Sequence, residues 1–206
     1  AFVSPELGLF DAGYRHFHLD DCWAGGRNST GYLYPEKNHF PNGMKVVVDY
    51  AHSKNVVFGL YTCAGTFTCV GGRPGSKDHW EQDANVFAEW GVDWVKMDWC
   101  NTNGMKPQTT YPKMSKAMNS TGWPMHFNMC EWGLNNPWEW GDSIAQSWRM
   151  SGDHEGIWSS TKNQIQLAAS IPSKYSGKPY GWNDMDMLET GNYAQAAHAN
   201  GKESNM

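Results

Sequence analysis

Acidic side chains that follow short β-rich runs are the residues of this sequence best suited to chemistry. Asp98 ends the run 94–98 (WVKMD), two residues after Lys96. Residues two apart on a strand share a face, so the lysine and the aspartate are predicted to point the same way. A nearby ammonium group favours the ionised carboxylate, which is the form that a nucleophile needs. A structural ion pair under a loop would use the same spacing.

Asp153 is the candidate for a second catalytic carboxyl group. It lies in the segment 148–154 (WRMSGDH), after the next predicted strand but one, so both carboxylates could reach one end of a sheet. A carboxyl group close to another carboxylate is driven towards its protonated form. An ionised nucleophile paired with a protonated acid is the arrangement that glycosidic bond cleavage uses. From the residues alone, an N-cap aspartate in a loop is the simpler interpretation.

Asp20 and Asp21 are adjacent carboxylates. On a regular strand they would point to opposite faces, so both can serve one ligand only where the strand ends and the backbone turns. Such a pair suits acceptance of hydrogen bonds from hydroxyl groups of a ligand. A solvated acidic turn is the alternative.

His16 and His18 form a His-x-His pattern, which on a barrel strand can hold a metal ion. They precede Asp20, however, and are therefore expected away from the strand end where a parallel sheet carries its chemistry. The glycine-rich turn 71–75 lacks the spacing of a phosphate-binding loop, and no Gly-x-Ser-x-Gly elbow occurs. We therefore expect neither a metal ion nor a cofactor.

Short β-rich runs alternate with helical stretches, which predicts an α/β fold with a parallel sheet. The chemistry of such sheets lies at the carboxyl ends of the strands. Acidic residues do fall at these predicted ends: Asp20, Asp21, Asp98, Glu131, Asp184 and Asp186. The predicted strands are 16–21, 56–61, 92–98, 124–130 and 180–188; the predicted helices are 44–53, 80–90, 111–119 and 162–169, and 143–149 is ambiguous.

Composition excludes several classes of function. The net charge is −5 with no run of Lys or Arg, so neither nucleic acid nor an anionic membrane is an expected partner, and no apolar stretch is long enough to span a bilayer. The 12 Trp residues fit either a sugar-binding cleft or an aromatic core. Two glycosylation sequons, at Asn28 and Asn119, fit a secretory route to an extracellular, lysosomal or vacuolar location.

An ordered series of motifs resembles glycoside hydrolase family twenty-seven, which contains α-galactosidases and α-N-acetylgalactosaminidases. The resemblance implies an incomplete (β/α)8 barrel with approximately strands 2 to 7, so that residues 1–206 are part of a catalytic domain. It also leads us to expect a fragment that lacks the first strand and the C-terminal β-sandwich of the family. The motifs are LDDCW (19–23), FPNGM (40–44), FGLY (58–61), AGTFTC (64–69), WVKMDWCN (94–101), CEWG (130–133) and GWNDMDMLE (181–189).

The same resemblance implies roles for individual residues. Asp98 would be the nucleophile and Asp153 the acid/base of a double displacement that retains anomeric configuration. Glu131 and Trp132 would crowd an N-acetyl group, which favours terminal α-galactose as the substrate over N-acetylgalactosamine. Relatives that act on β-L-arabinopyranosides differ at the position of Asp20. The implied substrate-binding residues are Asp20, Asp21, Tyr61, Lys96, Glu131, Trp132, Arg149 and Asp186.

The resemblance also concerns the five cysteines. Cys69 and Cys100 match a family disulfide, and Cys22 matches a cysteine whose partner lies upstream of this sequence. No pairing is implied for Cys63 or Cys130. A non-catalytic galactose-binding relative and a metal-dependent hydrolase remain the alternative functions.

Overall fold

A computed structural model describes residues 8–176, 181–187 and 189 of the chain. The chain divides into two compact units, Ala1–Phe127 and Asn128–Met206. Strands of the first unit are β1 (His16–Leu19), β2 (Ala24–Arg27), β3 (Leu33–Pro35), β4 (Val57–Cys63) and β5 (Trp94–Asp98). Its helices are α1 (Met44–Ser53), α2 (Trp80–Trp90) and α3 (Pro107–Ser120).

The strands of the first unit that carry candidate site residues are parallel. β4 lies between β1 and β5, with Tyr61 opposite Lys96 and Cys63 opposite Asp98. Strand β4 is buried along almost its whole length, as its run of apolar residues predicts for a parallel sheet covered on both faces. The register therefore brings the candidate residues of β4 and β5 to one end of the sheet.

Helices α1 and α2 follow the boundaries predicted from the sequence. In α2, Trp80, Ala84 and Phe87 are buried, and their spacing of three to four residues places them on one face. Gly91 ends this helix with φ of 80°, in the left-handed conformation that glycine adopts without steric cost. Gly91 is therefore the C-cap of α2.

A two-stranded antiparallel ribbon, β2–β3, was not predicted. Its sequence lacks the alternation of apolar and polar residues that marks a strand. The ribbon depends instead on Gly25 and Gly26, because a Cβ atom at either position would lie 2.7 Å from the ring or hydroxyl of Tyr34. Arg27 ties the ribbon to α2 through two bonds, of 2.6 and 2.7 Å, to the fully buried carboxylate of Asp83.

The described part of the second unit contains parallel strands and one α-helix. Strand β6 (His126–Cys130) begins in the first unit and pairs in the second with β7 (Ser147–Arg149), which pairs with β8 (Trp182–Asp184). Helix α4 (Trp158–Ser170) lies between β7 and β8 in the chain. Its only buried residue is Gln164.

Several predicted boundaries were wrong. Helix α3 begins at Pro107 rather than at residue 111, because proline suits the first position of a helix, where no N–H partner is needed. Helix α4 begins at Trp158 rather than at residue 162, and the ambiguous segment 143–149 supplies strand β7. Of the strand predicted over 180–188, residues 180 and 188 lie outside the described residues. Among the residues that the structure describes, no helix has both the length and the apolar character needed to cross a membrane.

Replacing Arg27 with Met should lower the free energy of unfolding by about 3–5 kcal/mol, because it leaves the buried Asp83 carboxylate without its partner. Denaturation by urea in the full-length protein measures this loss.

The double variant Arg27→Met/Asp83→Leu removes both charges and should recover most of the stability. Lys45→Met is the matched control, because Lys45 pairs with Asp49 on the exposed surface of α1 and such pairs contribute little. Equal destabilisation by Arg27→Met and Lys45→Met would contradict a structural role of the buried pair.

Candidate active site

The carboxylate of Asp98 is fixed at the end of β5. Only 7% of the residue is exposed. The hydroxyl of Tyr61 donates to Oδ2 at 3.1 Å, and the backbone N–H of Trp99 donates to Oδ1 at 2.8 Å. Each carboxylate oxygen thus accepts a hydrogen bond, and the carboxylate is held in one orientation.

Tyr61 was predicted to bind substrate, and the structure places its hydroxyl on Asp98. The ring is buried, and its backbone carbonyl accepts a bond from the indole of Trp23 at 2.8 Å. Burial raises the pKa of the Tyr61 hydroxyl, and the charge of Asp98 raises it further. The hydroxyl therefore keeps its proton and remains a donor to the carboxylate.

Asp20 and Asp21 follow the end of β1, where the backbone turns through Cys22 with φ of 76°. The condition under which neighbouring carboxylates can face one ligand is therefore met. Lys96 Nζ donates to Asp20 Oδ2 at 2.7 Å, and 63% of the Asp20 side chain is exposed. Asp21 accepts bonds from the N–H of Cys22 at 2.6 Å and from that of Val70 at 3.1 Å. Asp20 is the more available of the two carboxylates.

The loop after β4 is tied to the strand end that carries Asp98. The disulfide predicted between Cys69 and Cys100 is present. Asn101, which sequence reasoning missed, donates from Nδ2 to the carbonyl of Thr68 at 2.9 Å. The N–H of Cys69 donates to the Tyr61 hydroxyl at 3.4 Å. This loop therefore supports both Tyr61 and Asp98.

Cys63 is a buried thiol opposite Asp98 in the sheet. Its Sγ donates to the carbonyl of Cys100 at 3.2 Å. Burial raises the pKa of the Cys63 thiol to about 12, so the group stays protonated at any pH at which the protein would work. Cys22, which is exposed, and Cys130, which is buried, form no disulfide within the described residues.

The described residues offer no set of metal ligands at His16 and His18. Their rings contact Trp94, at centroid distances of 5.9 and 4.8 Å, and Trp94 stacks on His126 at 3.5 Å. One group of potential ligand atoms is close enough within the described ranges, Cys69, Asp98 and Cys100. Its two sulfur atoms form the disulfide, so they are not available as thiolate ligands.

In the second unit, Arg149 connects the candidate acid to Asp186. The guanidinium group is buried, with Nη2 3.0 Å from Asp153 Oδ1 and Nη1 2.7 Å from Asp186 Oδ1. Nη1 also lies 3.6 Å from the sulfur of Cys130. Asp153 itself is open to solvent, with 74% of its side chain exposed. The acid candidate is accessible, while the cation beside it is not.

Asp186 was predicted to bind substrate, and in the structure both of its carboxylate oxygens are occupied. Oδ1 pairs with Arg149, and Oδ2 accepts the backbone N–H of His154 at 2.6 Å. The residue has φ of 72°, a conformation that is uncommon outside glycine and that often marks functional sites. Asp186 thus holds the residue that directly follows Asp153.

Glu131 has no exposed surface. Its Oε2 accepts bonds from the backbone N–H and the side-chain Nδ2 of Asn135, at 3.0 and 2.7 Å. Burial raises the pKa of the carboxyl group, and the bonds from Asn135 oppose that rise. A direct contact between Glu131 and a ligand therefore requires the turn at 132–135 to move. Trp132, with φ of 61°, begins this turn.

The glycosylation sequons are both on the surface. Asn28 is exposed, and its Oδ1 accepts a bond from the Thr30 hydroxyl at 2.8 Å. Asn119 is exposed near the end of α3. Glycosylation of either residue stays a prediction.

Comparison with known proteins assigns the chain to a family. The family model described as "Alpha galactosidase A" matches residues 3–205. The chain belongs to this family. Among curated relatives, alpha-galactosidase A of Cellvibrio japonicus is 43% identical over 90% of the chain and 48% of its own length. The alpha-galactosidase of Cyamopsis tetragonoloba is 47% identical over 91% of the chain and 45% of its own length.

Solved structures agree with this assignment. The alpha-galactosidase of Saccharomyces cerevisiae, solved with raffinose, has a TM-score of 0.86 and 38% identity over 90% of the chain and 46% of its own. This likeness confirms the predicted fold, an α/β barrel of which the chain contains about strands 2 to 7. The chain spans about half the length of the curated relatives it matches.

Replacing Glu131 with Gln should remove the free-energy cost of ionising a buried carboxyl group, which lowers the stability of the folded protein as the pH rises. Because the pKa of the folded carboxyl group is raised above its unfolded value, its contribution to stability is present below the unfolded pKa and is lost as the pH rises. The variant has no such group. Its free energy of unfolding should therefore improve relative to wild type as the pH rises from about 4 to 7.

The control is Glu155→Gln, because Glu155 is exposed. An exposed carboxyl group keeps its hydration in the folded state, so this control isolates the effect of burial. A Glu131→Gln difference that is constant with pH, or that moves in the opposite direction, would show that burial does not raise the pKa of this group.

Proposed function

We propose that the chain provides the catalytic residues of a retaining α-galactosidase. The observation that carries the proposal is the Asp98 carboxylate, buried at a strand end and held by Tyr61 and Trp99, in a member of the alpha galactosidase A family. The curated relatives, at 43% and 47% identity, are named as alpha-galactosidases. A carboxylate fixed in one orientation is suited to attack a carbon atom from a defined direction.

The reaction that fits these residues is a double displacement. Asp153 donates its proton to the glycosidic oxygen as the bond from that oxygen to the anomeric carbon breaks. Asp98 attacks the anomeric carbon and forms a covalent galactosyl ester. Water then attacks the same carbon while Asp153 removes a proton, which releases galactose with its original configuration and restores both carboxyl groups.

The proposed substrate carries a terminal α-galactosyl group. Asp20, oriented by Lys96 and open to solvent, would accept hydrogen bonds from hydroxyl groups of the sugar. An epimer with one hydroxyl group displaced would leave such an acceptor without its donor, and this loss is the physical basis of discrimination. The remaining proposed contacts come from Asp21, Tyr61, Lys96, Glu131, Trp132, Arg149 and Asp186.

Two features support a proposed location in the secretory pathway, in a secreted, lysosomal or vacuolar protein. The disulfide between Cys69 and Cys100 is typical of oxidising compartments. Asn28 and Asn119 are exposed sequon residues that glycosylation could modify. We further propose that residues 1–206 are part of the catalytic barrel domain.

A panel of three aryl glycosides tests the proposed activity in the full-length protein. The α-galactoside should be hydrolysed, with α-galactose as the first product seen by proton NMR. The α-N-acetylgalactosaminide and the β-L-arabinopyranoside should be poor substrates, because Trp132, and Glu131 once the turn at 132–135 moves, would crowd the acetamido group and Asp20 is present.

Each other result rejects a part of the proposal. Preference for the N-acetylgalactosaminide would reassign the substrate, and β-galactose as the first product would exclude the double displacement. Binding of galactose without turnover of any glycoside would identify a non-catalytic relative.

A further inference from the structure

Helix α4 buries a polar side chain where an apolar one is expected. Surface helices cover the core with apolar residues and expose polar ones. In α4 the one buried residue is Gln164, whereas Trp158 and Ile165 are about half exposed. A polar group is costly to bury unless it forms hydrogen bonds, so the partners of Gln164 indicate what the residue does.

Those partners lie in the loop between β7 and α4 that carries Asp153. The Ser151 hydroxyl lies 2.6 Å from Gln164 Oε1 and 3.0 Å from the carbonyl of Gly152, so either oxygen can accept its proton. Gln164 Nε2 donates to the same Gly152 carbonyl at 3.3 Å. The two residues immediately before Asp153 are therefore bound to the helix through one amide side chain.

The residue after Asp153 is fixed as well. The N–H of His154 donates to Asp186 at 2.6 Å, and its ring nitrogen Nε2 lies 2.9 Å from the hydroxyl of Thr161 in α4. The Asp153 side chain is mostly exposed and meets Arg149 at 3.0 Å. Since little protein surrounds this carboxyl group, its position depends on the backbone on either side of it.

We infer that Gln164 is a positioning residue, which places the carboxyl group of Asp153 by holding Ser151 and Gly152 against α4. The inference rests on the proposed function, in which Asp153 is the acid/base. A residue that acts through the general acid has a specific kinetic consequence. Its loss slows reactions that need proton donation to the leaving group and spares reactions that do not.

The test compares two substrates of the full-length protein. Methyl α-galactoside has a poor leaving group that must be protonated, whereas α-galactosyl fluoride releases fluoride with little need of an acid. For Gln164→Leu we expect kcat/KM on the methyl glycoside to fall by about 10- to 100-fold, less than most of the roughly 100- to 10,000-fold that general acid catalysis contributes, because the acid is displaced and not removed. On the fluoride we expect a fall of less than about threefold, because attack by Asp98 is unchanged.

The matched control is Gln166→Leu, the same substitution at an exposed position of α4. It should leave both rates unchanged. Ser151→Ala adds no volume and removes the hydroxyl that meets Gln164, so it should repeat the pattern with a smaller loss even where Gln164→Leu proves unstable. Melting temperatures of all variants identify any loss that comes from unfolding.

Equal losses on the two substrates by Gln164→Leu and Ser151→Ala would overturn the inference, as would full activity of both variants. Failure of the proposed function looks different, because the wild-type protein would then hydrolyse neither substrate. A selective loss on the methyl glycoside supports the positioning role.

Discussion

The central interaction of the first unit is the hydrogen bonding of the Asp98 carboxylate, which lies where water has little access. An ionised group with little exposure needs donors on its oxygens, since desolvation otherwise drives it to its neutral form. Asp98 receives one donor from the backbone at Trp99 and one from Tyr61. The backbone donor comes from the turn after β5, and the tyrosine comes from the neighbouring parallel strand, so the sheet register itself supplies the second bond.

The loop after β4 extends the same constraint. Tyr61 can serve Asp98 only while its own ring and backbone are fixed, and Trp23 and Cys69 each form a hydrogen bond to it. The disulfide from Cys69 to Cys100 then connects this loop to the segment two residues after Asp98. The hydrogen bonds to Asp98 therefore depend on Tyr61, and Tyr61 in turn depends on the loop that the disulfide fixes.

In the second unit the candidate carboxyl group, Asp153, is exposed and not buried. A general acid must meet solvent and substrate, so few contacts can hold its side chain. Asp153 is positioned instead by the segment 151–154, which α4 and Asp186 hold from both sides, and by the buried cation of Arg149. Because the contacts act on the backbone of this segment, the Asp153 carboxyl group is positioned and still remains accessible.

The sequence alone was enough to predict some of the helices and strands and one of the two candidate catalytic residues. Helix α2 was predicted with the bounds that it has, and acidic residues after β-rich runs identified Asp98, whereas Asp153 took its role from the family resemblance. The β2–β3 ribbon could not be predicted, because it depends on Tyr34 packing against Gly25 and Gly26, a contact that no alternation of apolar and polar residues marks. Gln164 was missed because a polar residue in a helix is normally predicted to lie on the surface. Its burial results from the loop that packs on it, which the sequence does not show.

The most direct test of the central claim, that Asp98 is the nucleophile, uses Asp98→Gly in the full-length protein with an aryl α-galactoside and added azide. The variant should be inactive alone, because no covalent ester can form, and azide should enter the vacated space and restore turnover. The product should be β-galactosyl azide, since azide then attacks from the side that Asp98 occupies. Asp98→Asn, which leaves no such space, should not be rescued. Wild-type activity of Asp98→Gly without azide, or α-galactosyl azide as the product, would contradict the assignment.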